Sequence, residues 1–157
     1  MPAATVDTLW RQNHLGLLAE QARQRFDSRV LALMARNDEL TLSLSHLAAR
    51  GRLGASHIQI TRHLAQTGCR LTELAQRAGI TKQAMGKLVD QCGAWGLVDR
   101  QVDARDARAV RIVFTPTGQQ WLAAYQQAVL QAEAEFRQAV GAEVAMVVQL
   151  GLEAYVA

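Results

Sequence analysis

The sequence predicts a mainly α-helical fold that is interrupted once by a β-hairpin. Half of the 157 residues are apolar but only 5% are aromatic, a composition that favours helices packed through aliphatic side chains. Apolar residues recur at helical spacing along most of the chain, whereas they alternate with polar residues on either side of position 105. The length suits one compact domain with extensions.

The N-terminal third is predicted to be helical. Apolar residues at helical spacing predict one long helix or two abutting helices over Thr5–Arg36. The dipeptide Asn37-Asp38 ends this segment, and we expect a short extra helix over Leu42–Arg50.

Capping signals predict three shorter helices in the middle of the chain. Ser56 and Gln59 have the spacing of a capping box, and the two other helices begin at threonines whose side-chain oxygens can accept from free backbone amides. The expected helices run from Ser56 to about Gln66, from Thr72 to Gly79 and from Thr81 to about Trp95.

The hydrophobic period then changes to two. Alternation before and after the charged stretch Asp103–Arg108 predicts a two-stranded hairpin with a charged tip. Thr115-Pro116 restarts a helix, because proline lacks only an amide hydrogen that the first helical turn leaves free. Gly141 separates that helix from a last, strongly apolar helix over Ala142–Tyr155, whose apolar stretch is too short to cross a membrane.

The segment Leu71–Leu88 meets several demands of a helix-turn-helix, in which two helices cross steeply through a tight turn. Ala75 is small where the second helix crosses, and Gly79 follows at the turn. The alternative is an ordinary helical hairpin. In a helix-turn-helix, Thr81–Val89 would lie in a DNA major groove. Apolar residues suited to pin both helices to the core are Leu74, Ala78, Ile80, Met85 and Leu88.

Basic residues concentrate around the same segment. Between Arg50 and Arg111 eleven Lys and Arg residues stand against five Asp and Glu residues, a balance of +6 in a chain of net charge +3. Both lysines of the chain, Lys82 and Lys87, lie in the second helix, and Gln83 between them can pair with an adenine edge. The pattern indicates a polyanion-binding surface, with a solvated helical face as the alternative.

The charged tip of the hairpin, within Arg100–Arg111, predicts a DNA-contacting wing. Arg105 and Arg108 suit a narrow minor groove, where negative potential concentrates. We expect Asp103 and Asp106 to structure the wing by accepting hydrogen bonds from loop amides and by pairing bidentately with these arginines.

Together these motifs resemble the MarR family of bacterial transcriptional regulators, from about Ser56 to Trp121. The hairpin motif at this distance from a helix-turn-helix is the most specific part of the resemblance. The matching motifs are Leu71-Thr72-Glu73-Leu74-Ala75, Gly79-Ile80-Thr81-Lys82-Gln83-Ala84-Met85, Leu88-Val89-Asp90, Gly96-Leu97-Val98, Asp103–Arg108 and Thr115-Pro116-Thr117-Gly118.

The resemblance implies a homodimer that binds pseudopalindromic double-stranded DNA, and a repressor released by a small aromatic or phenolic effector. It implies dimerisation helices over 1–50, a winged helix-turn-helix DNA-binding domain over 51–115 and further dimerisation helices over 116–157. The DNA-facing positions of the family carry over to Thr81, Lys82, Gln83, Lys87, Arg105 and Arg108.

Three features of the resemblance leave room for alternatives. Ala84 and Gly86 stand where relatives often have Ser or Thr, so fewer direct base contacts are expected; Gly86 would allow close approach either of DNA or of another helix. The Leu40–Leu53 region is longer than usual. An effector cleft would be bordered by five residues, each of which has a purely structural role as its alternative: Trp10, His14, His57, His63 and Trp95.

Other functions have weaker support in the sequence. Cys69 and Cys92 form no C-x-x-C pattern, which fits a reducing cytosol and buried inert thiols better than a redox switch. His57 and His63 lack metal-ligand spacing, so neither a metal nor another cofactor is expected.

No nucleophile–base pair or phosphate-binding loop predicts an enzyme. A winged-helix module that binds proteins instead of DNA is the rival from another class, and it predicts a neutral second helix. Without a visible signal peptide, the expected location is the bacterial cytoplasm, at the nucleoid.

Overall fold

The structure, a computed structural model, describes residues 9–37 and 53–157. These residues form a mainly helical fold with a small three-stranded antiparallel sheet, so the predicted fold class is confirmed. The elements are a 3-10 turn at Leu9–Arg11, α1 (Leu15–Ala35), α2 (Ile58–His63), β1 (Cys69–Arg70), α3 (Leu71–Ala78), α4 (Lys82–Ala94), β2 (Val98–Asp103), β3 (Asp106–Phe114), α5 (Pro116–Val140) and α6 (Ala142–Val156).

The N-terminal helical segment is two abutting pieces. The 3-10 turn is separated from α1 by His14, whose ring nitrogen Nδ1 accepts a hydrogen bond of 3.2 Å from the amide of Leu17. This contact satisfies one of the amides that the first helical turn leaves free. The predicted helix at Leu42–Arg50 lies outside the described residues.

The predicted capping box at Ser56 does not form, so this prediction is wrong. Helix α2 begins at Ile58 and ends at His63, and no side chain caps its first turn. His57 closes the preceding turn instead, because its Nδ1 accepts a 3.0 Å hydrogen bond from the amide of Gly54. The chain becomes extended at Leu64, so the helix stops short of the expected Gln66.

Thr72 is likewise not the cap of α3. The helix begins one residue earlier because Arg70 is extended and its amide donates to Glu73 Oε2 at 2.9 Å. The predicted end at Gly79 is confirmed by its left-handed φ of 67°. Thr81 does cap α4, since its hydroxyl oxygen accepts from the amide of Ala84 at 3.1 Å.

The sheet has one strand more than predicted. Strands β2 and β3 form the expected hairpin, and the two-residue strand β1 adds to the outer edge of β3, giving the order β1-β3-β2. A Cβ at Gly68, which has a φ of 80°, would lie 2.6 Å from the carbonyl oxygen of Ile112, so this junction requires glycine. A two-residue strand has no period that a sequence pattern can reveal.

One core joins the helix-turn-helix, the sheet and the long helices. Trp121 of α5 and Met34 of α1 are each 1% exposed and pack into the same cluster as Leu74, Met85 and Ile112. At the start of α5, Gly118 lies so close to Leu97 that a Cβ would overlap the Leu97 carbonyl oxygen. The Thr115–Gly118 motif therefore docks α5 on the end of the helix-turn-helix.

Two ion pairs fasten α1 to its neighbours. Asp27, whose side chain is 3% exposed, contacts Arg62 of α2 at 2.7 Å and Arg23 of its own helix at 3.3 Å. Farther along α1, Arg29 forms a bidentate pair with Glu135 of α5, with both N–O distances 2.7 Å. Hydrogen bonding to Arg29 lowers the pKa of Glu135 to about 2.

The C-terminal helix α6 packs little against the rest of the chain. Of its residues only Ala145 is buried, whereas Val147 is 68% and Tyr155 81% exposed. No single helix in the described part of the chain is long and apolar enough to span a membrane; α5 and α6 pass that test of length and composition only as a pair bent by 119°.

Candidate DNA-binding surface

Helices α3 and α4 are joined by the short turn that a helix-turn-helix requires. Ala75 is buried, and its carbonyl oxygen accepts from the amide of Ile80 at 3.1 Å, just past the left-handed Gly79. Leu74 and Met85 have no exposed surface and anchor the two helices in the core. An ordinary antiparallel hairpin does not need this short, glycine-centred turn.

Helix α4 presents one polar face to solvent. Met85, Val89 and Cys92 point inward, and the helix begins at an exposed Thr81. Backbone amides and the helix dipole at such an N-terminus attract anions. The side chains that the sequence assigned to this face are all exposed: Thr81, Lys82, Gln83 and Lys87.

The wing aspartates do only half of what the sequence predicts. Asp103 Oδ1 accepts from the amide of Arg105 at 2.9 Å, and Asp106 Oδ1 accepts from the amide of Arg108 at 3.1 Å, so their role in shaping the turn is confirmed. The prediction that they pair bidentately with Arg105 and Arg108 is wrong. Both carboxylates instead face Arg70, whose Nη2 lies 3.8 Å from Asp103 Oδ2 and 3.5 Å from Asp106 Oδ2.

Arg70 was not among the predicted wing residues. Its partners lie more than thirty residues later in the chain and reach it only because β1 joins the sheet beside β3. A second ion pair, Arg100 to Asp90 at 2.8 Å, similarly links β2 to the later turns of α4. Neither pair has a local sequence signal.

The basic residues between positions 53 and 111 fall into two groups. Five have partners in the structure: Arg62, Arg70 and Arg100 pair with carboxylates, while Arg77 and Arg111 donate to backbone carbonyls. Lys82, Lys87, Arg105 and Arg108 form no side-chain hydrogen bond or ion pair with any described residue, and all four are exposed. The unpaired cations are the four that the sequence assigned to DNA.

Gly86 has no packing reason to be glycine. A Cβ at this position would meet only Leu71 Cδ2, at the ordinary contact distance of 3.8 Å. Of the two explanations that the sequence offered, close packing against another helix is therefore not required by this fold.

The five predicted cleft residues do not form one site. Trp10 contacts His14 with ring centroids 6.2 Å apart, and His57 contacts Trp95 at 4.9 Å, but no ring contact joins these pairs within the described ranges. His57 is a structural residue, since it is 7% exposed and its Nε2 lies 2.8 Å from Gln91 Oε1. Burial lowers the pKa of His63.

A cavity of about 830 Å³ lies elsewhere, between α1, the start of α2 with the turn before it, and α4. None of the five predicted residues lines it. Its cations are Arg23 and Lys87, and Asp27 contributes the carboxylate that is already paired with Arg62. The remaining lining is Gln24, Ser28, Ala55, Ser56, Gln59, Ile80, Ala84, Leu88 and Gln91.

Both cysteines are buried free thiols. Burial raises the pKa of Cys69, and it raises the pKa of Cys92 to about 12. A thiol is a poor nucleophile towards oxidants unless it ionises, so neither environment activates its sulfur. Among residues 9–37 and 53–157, no group of three or more His, Cys, Asp or Glu side chains has an arrangement that could hold a metal ion.

The crossed helices, the exposed second helix and the hairpin beside it define a winged helix-turn-helix. Residues 53–109, which span the helix-turn-helix and most of the wing, match the family model described as MarR family. No curated protein sequence matches the chain.

Solved structures of transcriptional regulators share the whole fold. MarR of E. coli, in its apo form, is 18% identical with a TM-score of 0.68, over 92% of this chain and 98% of that one. The repressor CouR, bound to a 23-mer DNA duplex, is 18% identical with a TM-score of 0.67, over 98% and 100% of the two chains. A Mycobacterium tuberculosis MarR family protein in complex with p-aminosalicylic acid is 22% identical with a TM-score of 0.64, over 92% and 100%.

Proposed function

We propose that this chain is a transcriptional regulator that binds double-stranded DNA at the nucleoid through α4 and the β2–β3 wing. The observation that carries the proposal is the group of unpaired, exposed cations at Lys82, Lys87, Arg105 and Arg108. An intramolecular partner would have to be displaced before a cation could meet a phosphate, and these four have none among the described residues. The DNA-bound relative CouR supports the same use of the fold.

The two elements would read different parts of the duplex. Helix α4 enters the major groove by its N-terminus, where Thr81 and the free amides meet phosphate while Lys82 and Gln83 reach base edges. The wing places Arg105 and Arg108 at the neighbouring minor groove, where guanidinium groups favour a narrow, electronegative shape. Between Gln83 and Lys87 the positions of α4 that are not buried carry only Ala84 and Gly86, so DNA shape contributes much of the specificity.

The protein would act as a homodimer on a pseudopalindromic site. Helix α6 exposes a broad apolar surface, and α1 adds the exposed Leu15 and Leu18 near its start. Many large apolar side chains left exposed on one helix indicate an interaction site on a protein chain. A two-fold axis through these helices would present two copies of α4 to successive major grooves, about one helical turn apart. Bound there, the dimer would repress by blocking polymerase.

A gel-shift titration with DNA from upstream of the protein's own gene, containing an inverted repeat, tests the DNA-binding surface. We expect Lys87→Ala combined with Arg108→Ala to weaken binding by roughly tenfold or more and to reduce the steepness of the salt dependence, because two phosphate-directed cations are lost. Arg25→Ala, which removes an exposed cation of α1, is the matched control and should leave both quantities unchanged. Equal affinities for the double variant and the wild type would rule out this surface, and a protein-binding module would then be the better explanation.

The cavity between α1 and α4 is the proposed effector site. It joins the helix proposed for dimerisation to the helix proposed for DNA binding, and Lys87 belongs both to its lining and to the DNA-facing group. A small aromatic carboxylate or phenolate bound there would attract Lys87 away from phosphate and change the tilt of α4 against α1. If the effector-bound dimer favours a different spacing between its two α4 helices, the effector shifts the population away from the DNA-binding form.

The relative bound to p-aminosalicylic acid supplies the first probe. We expect this compound to lower operator affinity of the wild type at millimolar concentration. Ser28→Leu fills the cavity from the α1 side and changes no residue of the DNA-facing group, so it should abolish the response while leaving DNA affinity intact. A response that survives in Ser28→Leu would place the effector elsewhere.

A further inference from the structure

The tip of the wing does not carry a net positive charge of its own. Asp103 and Asp106 balance Arg105 and Arg108, so the tip is neutral if taken alone. Two carboxylates beside DNA repel phosphate as strongly as two guanidinium groups attract it, unless something holds them back or neutralises them. The structure shows a cation in that position.

Arg70 lies where the helix-turn-helix meets the sheet that carries the wing. It is the last residue of β1 and immediately precedes α3, and its backbone lies opposite that of Arg111 in the antiparallel pairing of β1 with β3. Its backbone amide is held by Glu73 at 2.9 Å, which fixes the point from which the side chain departs. From there its guanidinium reaches both wing carboxylates, at 3.8 and 3.5 Å.

Each wing carboxylate therefore has two separate tasks. One oxygen, Oδ1, accepts from the backbone amide two residues later and shapes the turn, at Arg105 for Asp103 and at Arg108 for Asp106. The other oxygen, Oδ2, faces Arg70. This division leaves the side chains of Arg105 and Arg108 without an intramolecular partner among the described residues, and it turns the negative charge of the tip towards the body of the protein.

We infer that Arg70 is a positioning residue of the DNA-binding surface: it neutralises Asp103 and Asp106 and orients the wing, so that the tip arginines alone face DNA. The inference rests on the proposed function. It differs from a direct role, because Arg70 would act through the two aspartates and not by contacting phosphate itself.

A double-mutant cycle separates these two roles. We expect Arg70→Gln to lower operator affinity about tenfold in a gel shift at low salt, because two carboxylates are left uncompensated. Changing Asp103→Asn and Asp106→Asn keeps Oδ1 as an acceptor and removes both charges. In the Arg70→Gln background this pair of changes should restore most of the affinity, whereas in the wild type it should change affinity far less.

Arg77→Gln is the matched control, since it removes an arginine of α3 that donates to the His63 carbonyl at 3.5 Å and forms no ion pair with any described residue. It should leave the coupling between position 70 and the aspartates unchanged. Independent, additive effects of Arg70→Gln and the two Asn changes would overturn the inference, because a direct phosphate contact loses the same affinity whatever the charge of the wing. An unaltered affinity in Arg70→Gln would overturn it as well.

A measurement that needs no DNA distinguishes a failure of this inference from a failure of the proposed function. Hydrogen exchange of the amides of Arg105 and Arg108 reports how well the turn is held. Arg70→Gln should speed this exchange several-fold, and Arg77→Gln should not. If the wild type bound no DNA but showed this change, the proposed function would fail while the positioning of the wing by Arg70 would stand; unchanged exchange would refute the positioning.

Discussion

The winged helix-turn-helix and the C-terminal helix α6 differ sharply in how they use apolar residues. In the first, Leu74, Met85 and Ile112 are at most 1% exposed and form the centre of a closed core. In α6, one residue is buried and eight large apolar side chains remain exposed: Val144, Met146, Val147, Val148, Leu150, Leu152, Tyr155 and Val156. The winged helix completes its core within one chain, whereas the last helix does not.

The same difference appears in the glycines of the two regions. Position 118 requires glycine, because the Leu97 carbonyl oxygen lies where the Cβ of any other residue would be. In contrast, no atom lies within 4 Å of a Cβ built at Gly151 of α6. Close packing makes the core intolerant of added volume. The last helix, by contrast, has its apolar surface ready for a partner, which we propose is a second copy of the chain.

The largest expected effect is on the closely packed region. Gly118→Ala should lower the free energy of unfolding by about 3 kcal/mol or more, because the new methyl group overlaps a backbone carbonyl that cannot rotate away. Thermal or urea unfolding followed by circular dichroism measures it. Gly151→Ala is the control and should not destabilise the fold; equal losses for the two variants would show that Gly118 and Gly151 are equally closely packed.

The second effect concerns the exposed helix. Val147→Asp should raise the dissociation constant of the proposed dimer by about 30-fold or more, as expected when a buried interface residue is replaced by a charge. Sedimentation at several concentrations measures the shift towards monomer. Val102→Asp is the matched control, since it makes the same change at a valine that is 67% exposed, against 68% for Val147, but lies on the wing. If both variants dissociated equally, or neither did, α6 would not be the dimer surface.

A smaller effect is expected where α1 is fastened to α2, the helix that precedes the helix-turn-helix. Asp27→Asn removes the charge that two arginines share and should cost about 2 kcal/mol of stability, less than for a wholly buried pair because Arg23 is half exposed. Glu20→Gln, on the exposed side of α1, should change stability by less than about 0.5 kcal/mol. Unfolding at neutral pH compares them, and similar values would show that the pair does not fasten α1 to α2.

The smallest effect tests why α4 contains Gly86. Gly86→Ala should stabilise the helix by about 0.5–1 kcal/mol, since alanine loses less conformational entropy than glycine, and should weaken operator binding several-fold if the DNA backbone approaches closely. Gly93→Ala makes the same change in the same helix, with its nearest neighbour also at 3.8 Å but far from the N-terminus. It should give the stability gain alone. Unchanged DNA affinity in Gly86→Ala would leave this glycine without a role in DNA approach.

Local signals in the sequence predicted the parts that local physics controls. Thr81, Gly79 and the Thr115-Pro116 pair act on amides and dihedral angles within a few residues, and each sits at the helix boundary expected of it. Prediction failed where another nearby group bound an amide instead. Ser56 caps no helix, because the His57 ring closes the preceding turn on the amide of Gly54 and α2 begins only at Ile58. Thr72 is not a cap, because the Glu73 carboxylate accepts from the amide of Arg70 and α3 begins at Leu71.

The sequence by itself determined the helical fold with its hairpin, the family resemblance and the four outward-facing cations at Lys82, Lys87, Arg105 and Arg108. These features follow from periodicity, capping and charge, which depend on residues close together in the sequence. Only the tertiary structure decided which charges are free to act. The wing aspartates pair with Arg70 and not with the tip arginines, and the cavity lies beside Lys87 and not among the aromatic residues. The reason is that an ion pair or a cavity depends on distances in space between residues thirty or more positions apart, and those distances exist only once the helices and the sheet have packed.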